Sequence, residues 1–286
     1  MYGFFSEGSY KGDLPYTDLA IERRRADTEI PGIDYRKEER PSGLVIERIR
    51  ITTRKAATAI GRPIGLYHTL NIERADRLSY DASEQAKDEL AGELCRMFEE
   101  SDIFPGRILV VGLGNPRLTP DAIGCAAAEK VKPTMHIKEW SRRSFTALRC
   151  AEIAVIAPDV AAASGLDAAV VVKGVCDVIR PDAVIAIDAI ATRSAERLGS
   201  TVQICNSGIS PGSGLGNPRL AIGIETVGVP VIAVGLPTVI DSRVLCGEAK
   251  FSSPPMFVSP KEINEIVSAA AQVIGGGINQ AFGIFN

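Results

Sequence analysis

The sequence predicts an α/β fold: a mostly parallel central sheet with helices on both faces. Three observations predict it. Short, almost wholly apolar runs such as 182–187 (DAVIAI) and 230–235 (PVIAVG) read as strands buried on both sides. Stretches with helical periodicity separate such runs. Glycine-rich turns follow several of them, as in open α/β sheets, where ligands bind beyond the carboxyl ends of the strands.

The elements follow in order. Residues 1–43 hold the turn formers Gly12, Pro15, Pro31, Gly32, Pro41 and Gly43 with little periodicity, so an extended or loop-rich leader is expected. Residues 44–51 (LVIERIRI) are strand-like. Residues 81–100 predict an amphipathic helix, with Asp81 and Glu84 as a capping-box start and Ala82, Ala86, Leu90, Leu94 and Phe98 on one face. An apolar strand is expected at 107–111. Thr119 suits an N-cap and Pro120 the first helical position of a helix running to Val131. Strands at 152–157, 182–187, 201–205 and 230–235 alternate with a helix at 166–179. Ser259-Pro260-Lys261-Glu262 is a capping box opening a last helix to about Ile274. No linker interrupts 44–286, so one domain is expected.

Composition narrows the chemistry. A chain of 286 residues, 45% hydrophobic and 23% charged, reads as an ordinary soluble globular protein. The net charge of −3 argues against nucleic acid as a direct ligand. No apolar run approaches the roughly 18 residues of a membrane span, and the N-terminus has no signal-like apolar core. The six cysteines are scattered, with no C-x-x-C, and read as reduced thiols of a cytoplasmic protein. The only histidines are His68 and His136. Neither belongs to a recognisable triad motif, and they cannot form H-E-x-x-H. Chemistry must therefore rest on carboxylates, backbone N–H groups, Lys, Arg or Cys.

Asp121, Asp188 and Asp241 are expected at the strand ends, beside two Gly-rich loops. Asp188 follows an apolar run, where loss of solvent should raise its pKa; Asp121 at a helix start should be held ionised. A raised and a lowered carboxyl would suit acid–base work near neutrality. Each aspartate can equally be an ordinary turn or helix-start residue. Gly-Leu-Gly-Asn-Pro-Arg occurs twice, at 112–117 and 214–219, bringing Gly112, Gly114, Asn115, Gly214 and Gly216, with Gly212 nearby, to predicted loops. The third glycine of a dinucleotide turn and the lysine of a phosphate loop are both missing.

Taken together, several segments resemble the germination protease family of endospore-forming bacteria. They are 110–115 with 119–124, 185–191, 208–217 and 225–241, with 17–22 near the start and 258–263 near the end. The resemblance implies a fold like that of the hydrogenase maturation proteases. It also implies an endopeptidase of the spore core that degrades small acid-soluble spore proteins, an atypical aspartic peptidase made as a self-processing zymogen and assembled as a tetramer. It places the two essential aspartates at Asp121 and Asp188 and implies self-cleavage between Asp18 and Leu19, which divides the chain into a leader, 1–18, and a peptidase domain, 19–286. His136, Asn115 and Asp241 are supporting candidates. The glycines at 112, 114, 212, 214 and 216 are candidates for holding substrate. No metal or cofactor is expected. The segment between Asp241 and Val258 is shorter than is usual in the family. The rival readings are a metal-dependent maturation-type peptidase using Asp121, Asp188 and His136, a nucleotide-binding module, and a binding protein derived from the enzyme.

Overall fold

The computed structural model describes residues 16–24, 30–212, 219–245 and 256–284. Among these, nine strands form one sheet: β1 Ile33–Glu39, β2 Val45–Ile51, β3 Gly65–Asn71, β4 Arg107–Gly112, β5 Glu152–Ile156, β6 Ala183–Thr192, β7 Thr201–Cys205, β8 Val231–Asp241 and β9 Phe257–Val258. Their order is β1-β2-β3-β7-β8-β6-β4-β5, with β9 beside β8. The block β5-β4-β6-β8 is parallel. From β8 outward through β7, β3 and β2 to β1 the pairing is antiparallel. The α/β architecture is thus a parallel block of buried apolar strands continued by an antiparallel wing.

Side-chain alternation explains the layers. Ile108, Val110, Ile185, Ile187, Ile232 and Val234 point to one face, where the helices Tyr80–Glu100, Ile123–Ala128 and Ile263–Ala281 cover them. Leu109, Val111, Val184 and Ala186 point to the other face, against the helix Ala168–Ile179. On that second face the wing has its own cluster, in which Ile49, Ile51 and Tyr67 pack against Ala56 and Ile60 of the helix Arg54–Ile60 and against Ala20. The site described below lies between these two clusters.

Several boundaries differ from expectation. The leader region contains β1, whose alternating charges line an edge strand paired with β2. Strand β3 and the helices Arg54–Ile60, Met135–Trp140 and Arg142–Leu148 lie in stretches too short to show a periodic signal. Ser79, not Asp81, caps the first long helix by accepting from Ala82 N–H. Thr119–Asp121 is a single 3-10 turn and the following helix only Ile123–Ala128; neither carries a side-chain cap. The last helix starts at Ile263 without a side-chain cap and continues to Ala281. No described helix is long and apolar enough to cross a membrane. Five cysteines are free; Cys246 lies outside the described residues.

Candidate active site

The parallel strands end unevenly, and this opens the site. Strand β4 stops at Gly112, in register with Ile187 of β6, while β6 and β8 continue together to Thr192 and Ile240. Asp188 is therefore not at a strand end, as expected, but inside β6 at the first position beyond the reach of β4. It is 4% exposed, and its Oδ1 accepts from the Ala189 N–H at 2.9 Å. Loss of solvent drives its pKa well above the ordinary carboxylate value, and the charges of Asp121 and Asp18 add to that.

Asp121 comes from the 3-10 turn after β4. Its Oδ2 accepts from the Asn115 backbone N–H at 2.8 Å. The expected lowering of its pKa does not occur. Burial raises it, outweighing the Asn115 N–H and the Arg219 charge, and one 3-10 turn supplies no helix dipole. Both carboxyls are thus biased toward the neutral form.

Asn115 contributes its backbone; its side-chain oxygen accepts from Arg117 N–H. Gly114 has φ +101°, and a Cβ there would stand 1.9 Å from the Asp121 carbonyl oxygen, so only glycine lets this loop close on Asp121. Gly112 packs against the Gly124 carbonyl. Gly112 and Gly114 thus shape the loop that positions Asp121, and neither lines the cavity. Gly212 does line it; Gly214 and Gly216 lie outside the described residues.

Asp121 and Asp188 border one cavity of about 500 Å³, together with Asp18, Arg62, Gln203 and Gly235. Tyr16 and Asp18, from the chain's own N-terminal region, form part of its wall. Asp18 N–H donates to the Ala191 carbonyl and Ala191 N–H to Asp18 Oδ2, each at 2.9 Å. Asp18 Oδ1 accepts from Tyr16 Oη at 2.8 Å and from Arg62 Nη2 at 3.1 Å. Leu19 and Ala20 are fully buried. Four residues on, the Glu22 carboxylate accepts from Thr17 Oγ1, Thr192 Oγ1 and the Arg193 N–H.

Two candidates stand elsewhere. Asp241 lies six residues beyond Gly235 on β8, about 20 Å along the strand at ~3.3 Å per residue. Arg243 binds both its oxygens; burial pushes the Asp241 pKa up, but this pairing overcomes it and leaves the pKa lowered. His136 is exposed on the helix Met135–Trp140 and stacks edge-on against Trp140 at 5.3 Å. Lys138 of that helix pairs with Glu152, the first residue of β5, which places His136 at the amino ends of the strands, opposite the cavity. Among the described residues no three His, Cys, Asp or Glu side chains group as a metal site.

Sequence reasoning missed Arg62 and Gln203. Arg62 follows a Gly in an ordinary polar turn, and Gln203 sits in a strand whose neighbours are known only once the sheet is assembled.

The family model for germination protease, Peptidase_A25, matches residues 16–250. A germination protease of Caldanaerobacter subterraneus subsp. tengcongensis is 36% identical over 308 aligned positions, covering 93% of each chain. That alignment is longer than the 286 residues here, so the relative carries residues this chain lacks. The germination protease of Clostridium perfringens strain ATCC 13124 is 32% identical, covering 93% of this chain and 94% of that one. A hydrogenase maturation protease, HycI from Thermococcus kodakarensis, aligns with a TM-score of 0.38 at 19% identity, over 65% of this chain and 99% of that one. The extent and identity of the match show that this chain belongs to the germination protease family, proteases of spore germination.

Proposed function

We propose that the chain is an endopeptidase that degrades small acid-soluble spore proteins during germination, that it releases its own leader by cutting between Asp18 and Leu19, and that Asp121 and Asp188 form the acid–base pair. The observation that carries this reading is that Asp18, held by the Ala191 N–H, lines the same cavity as both carboxyls. Asp188, the more deeply buried, is the acid that protonates the leaving amine. Asp121, anchored by the Asn115 N–H, is the base that activates water. Two neighbouring carboxyls titrate as a pair, and one proton shared between them supplies both roles. Arg62 and the Ala191 N–H around the Asp18 carboxylate favour cleavage after an acidic residue. The net charge of −3 fits an enzyme that acts on DNA-coating proteins without gripping the DNA. A location in the spore core and a tetrameric assembly complete the proposal.

Intact-mass analysis tests it. The unaltered chain is expected to lose residues 1–18, and Asp188→Asn and Asp121→Asn to stay full-length while keeping a cooperative thermal transition. Self-processing by folded Asp188→Asn removes the pair mechanism. A mature N-terminus other than Leu19 removes the cleavage assignment.

A further inference from the structure

Asp188, Gly235 and Gln203 form one row across three strands. Asp188 of β6 is in register with Gly235 of β8, and Gly235 with Gln203 of β7. Residues paired directly across neighbouring strands point to the same face, and strands lie ~4.8 Å apart. Asp188 and Gln203 thus flank a gap of ~10 Å between Cα positions, with a glycine as its floor. A Cβ at Gly235 would meet Ile190 at 2.9 Å. The backbone of Asp18–Ala20 is held at this gap by one buried amide. Gln203 Nε2 donates to the Asp18 carbonyl oxygen at 3.2 Å, and Gln203 Oε1 accepts from the Ala20 N–H at 2.8 Å. Only this orientation of the amide gives the N–H an acceptor and the carbonyl a donor.

We propose that Gln203 is a catalytic residue, whose Nε2–H is the oxyanion donor for the carbonyl of the bond that is cut and whose Oε1 holds the strand on the leaving side. The inference rests on the reading of Asp18–Leu19 as that bond. Water adds through its oxygen to the Asp18 carbonyl carbon, giving its proton to the ionised carboxylate of the pair. The carbonyl π electrons move onto the oxygen, where the negative charge faces Nε2–H. When the carbonyl re-forms, the C–N bond breaks and the Leu19 nitrogen takes a proton from the neutral carboxyl. A donor fixed in a buried site before the charge develops is worth most in the transition state. Spore-protein peptides bound in place of the Asp18–Ala20 segment would present their carbonyl to the same group.

The test compares Gln203→Ala and the near-isosteric Gln203→Glu with the unaltered chain. Self-cleavage is followed by intact mass, and hydrolysis of a peptide copying residues 16–22 by chromatography. Both variants should be slower by about 10²- to 10³-fold at neutral pH, the usual loss for one oxyanion donor. The loss should fall on kcat, because the contact strengthens as charge develops. In Gln203→Glu the introduced carboxyl can donate only when protonated, so its rate relative to the unaltered chain should recover as pH falls, while that of Gln203→Ala stays flat. Thermal melts of both variants confirm folding; if Gln203→Ala does not fold, Gln203→Glu decides alone. Folded variants that process at the unaltered rate overturn the inference, as does a loss confined to KM with a flat relative pH profile. An unaltered chain that never cuts between Asp18 and Leu19 overturns the underlying reading as well. Cutting that Asp188→Asn blocks and both Gln203 variants leave unchanged overturns the role of Gln203 alone.

Discussion

Two carboxylates of this protein are almost equally hidden from solvent and have opposite fates. Asp188, in the parallel block, is 4% exposed and, among the described residues, has no cation bonded to it; its pKa is driven far up. Glu93, on the helix Tyr80–Glu100 over the antiparallel wing, is 1% exposed. Burial would raise its pKa too, but the Arg48 hydrogen bonds and the adjacent His68 ring outweigh that and hold it at about 2. Arg48 Nε reaches Glu93 Oε2 at 2.8 Å, His68 Nδ1 lies 2.9 Å from the same oxygen, and Arg40 stands 3.4 Å from Oε1. Burial sets the cost of a charge; the neighbours decide whether the charge survives. In the wing the outcome is an ion cluster that ties β2 and β3 to the helix. At the cavity it is a carboxyl biased toward its neutral form.

The largest effect expected from this contrast is on chemistry. Self-cleavage should have a bell-shaped pH profile whose optimum lies above the ordinary carboxylate range. The acid limb reports protonation of the base, and the alkaline limb reports loss of the Asp188 proton. Because Asp121 and Asp188 are both raised, neither limb should fall at the unperturbed value of 3.8. A rate that stays constant from acid to alkaline pH would break the comparison.

Next in size is Glu93→Gln. It leaves Arg48 and His68 facing a neutral amide inside the wing, and a loss of about 3–5 kcal/mol is expected, as for breaking one side of a buried ion pair. Denaturant melts would measure it. The Glu93 contribution has a definite pH window. The folded pKa is depressed, so the stabilisation is full above 4.5 and is lost as pH falls toward about 2. The variant should therefore differ most from the unaltered chain at neutral pH and converge with it in acid.

Gly114→Ala sharpens the contrast from the side of the loop. A methyl group cannot sit 1.9 Å from the Asp121 carbonyl oxygen, and φ of +101° is unfavourable for alanine. A stability loss of about 1–3 kcal/mol is expected, with a larger relative loss of cleavage rate because Asp121 is displaced. Equal losses in stability and rate would show that the loop does not position Asp121.

The smallest effect has the opposite sign. Asp188 binds its proton more tightly folded than unfolded, so its contribution to stability falls as pH rises from the ordinary carboxylate range through its raised pKa. Asp188→Asn carries no such penalty. Its Tm should exceed that of the unaltered chain at neutral pH by a few degrees, with the gap closing in acid. A variant that melts lower at neutral pH would show that the carboxylate is paired after all.

The parallel block was legible in the sequence because its strands are buried on both faces and read as unbroken apolar runs; a carboxylate within such a run, Asp188, stands out. The segment 17–22 was legible from its family-like motif. The wing was legible only at β2 and β7: β1 is an edge strand of mostly charged residues, and β3 is a short run holding a buried His68 whose partner lies 25 residues away. Residue types and spacing by themselves pointed away from a histidine triad or an H-E-x-x-H site, leaving carboxylates, backbone N–H groups, Lys, Arg or Cys to carry any chemistry. Only the tertiary structure decided which carboxyls border one cavity. Side-chain charge depends on desolvation and on partners distant in the chain, so Asp121 is raised where a helix start would have lowered it, and Asp241 pairs with Arg243 far along β8. Asp188 and Gln203 become neighbours across Gly235 only because the register of three strands brings them into one row.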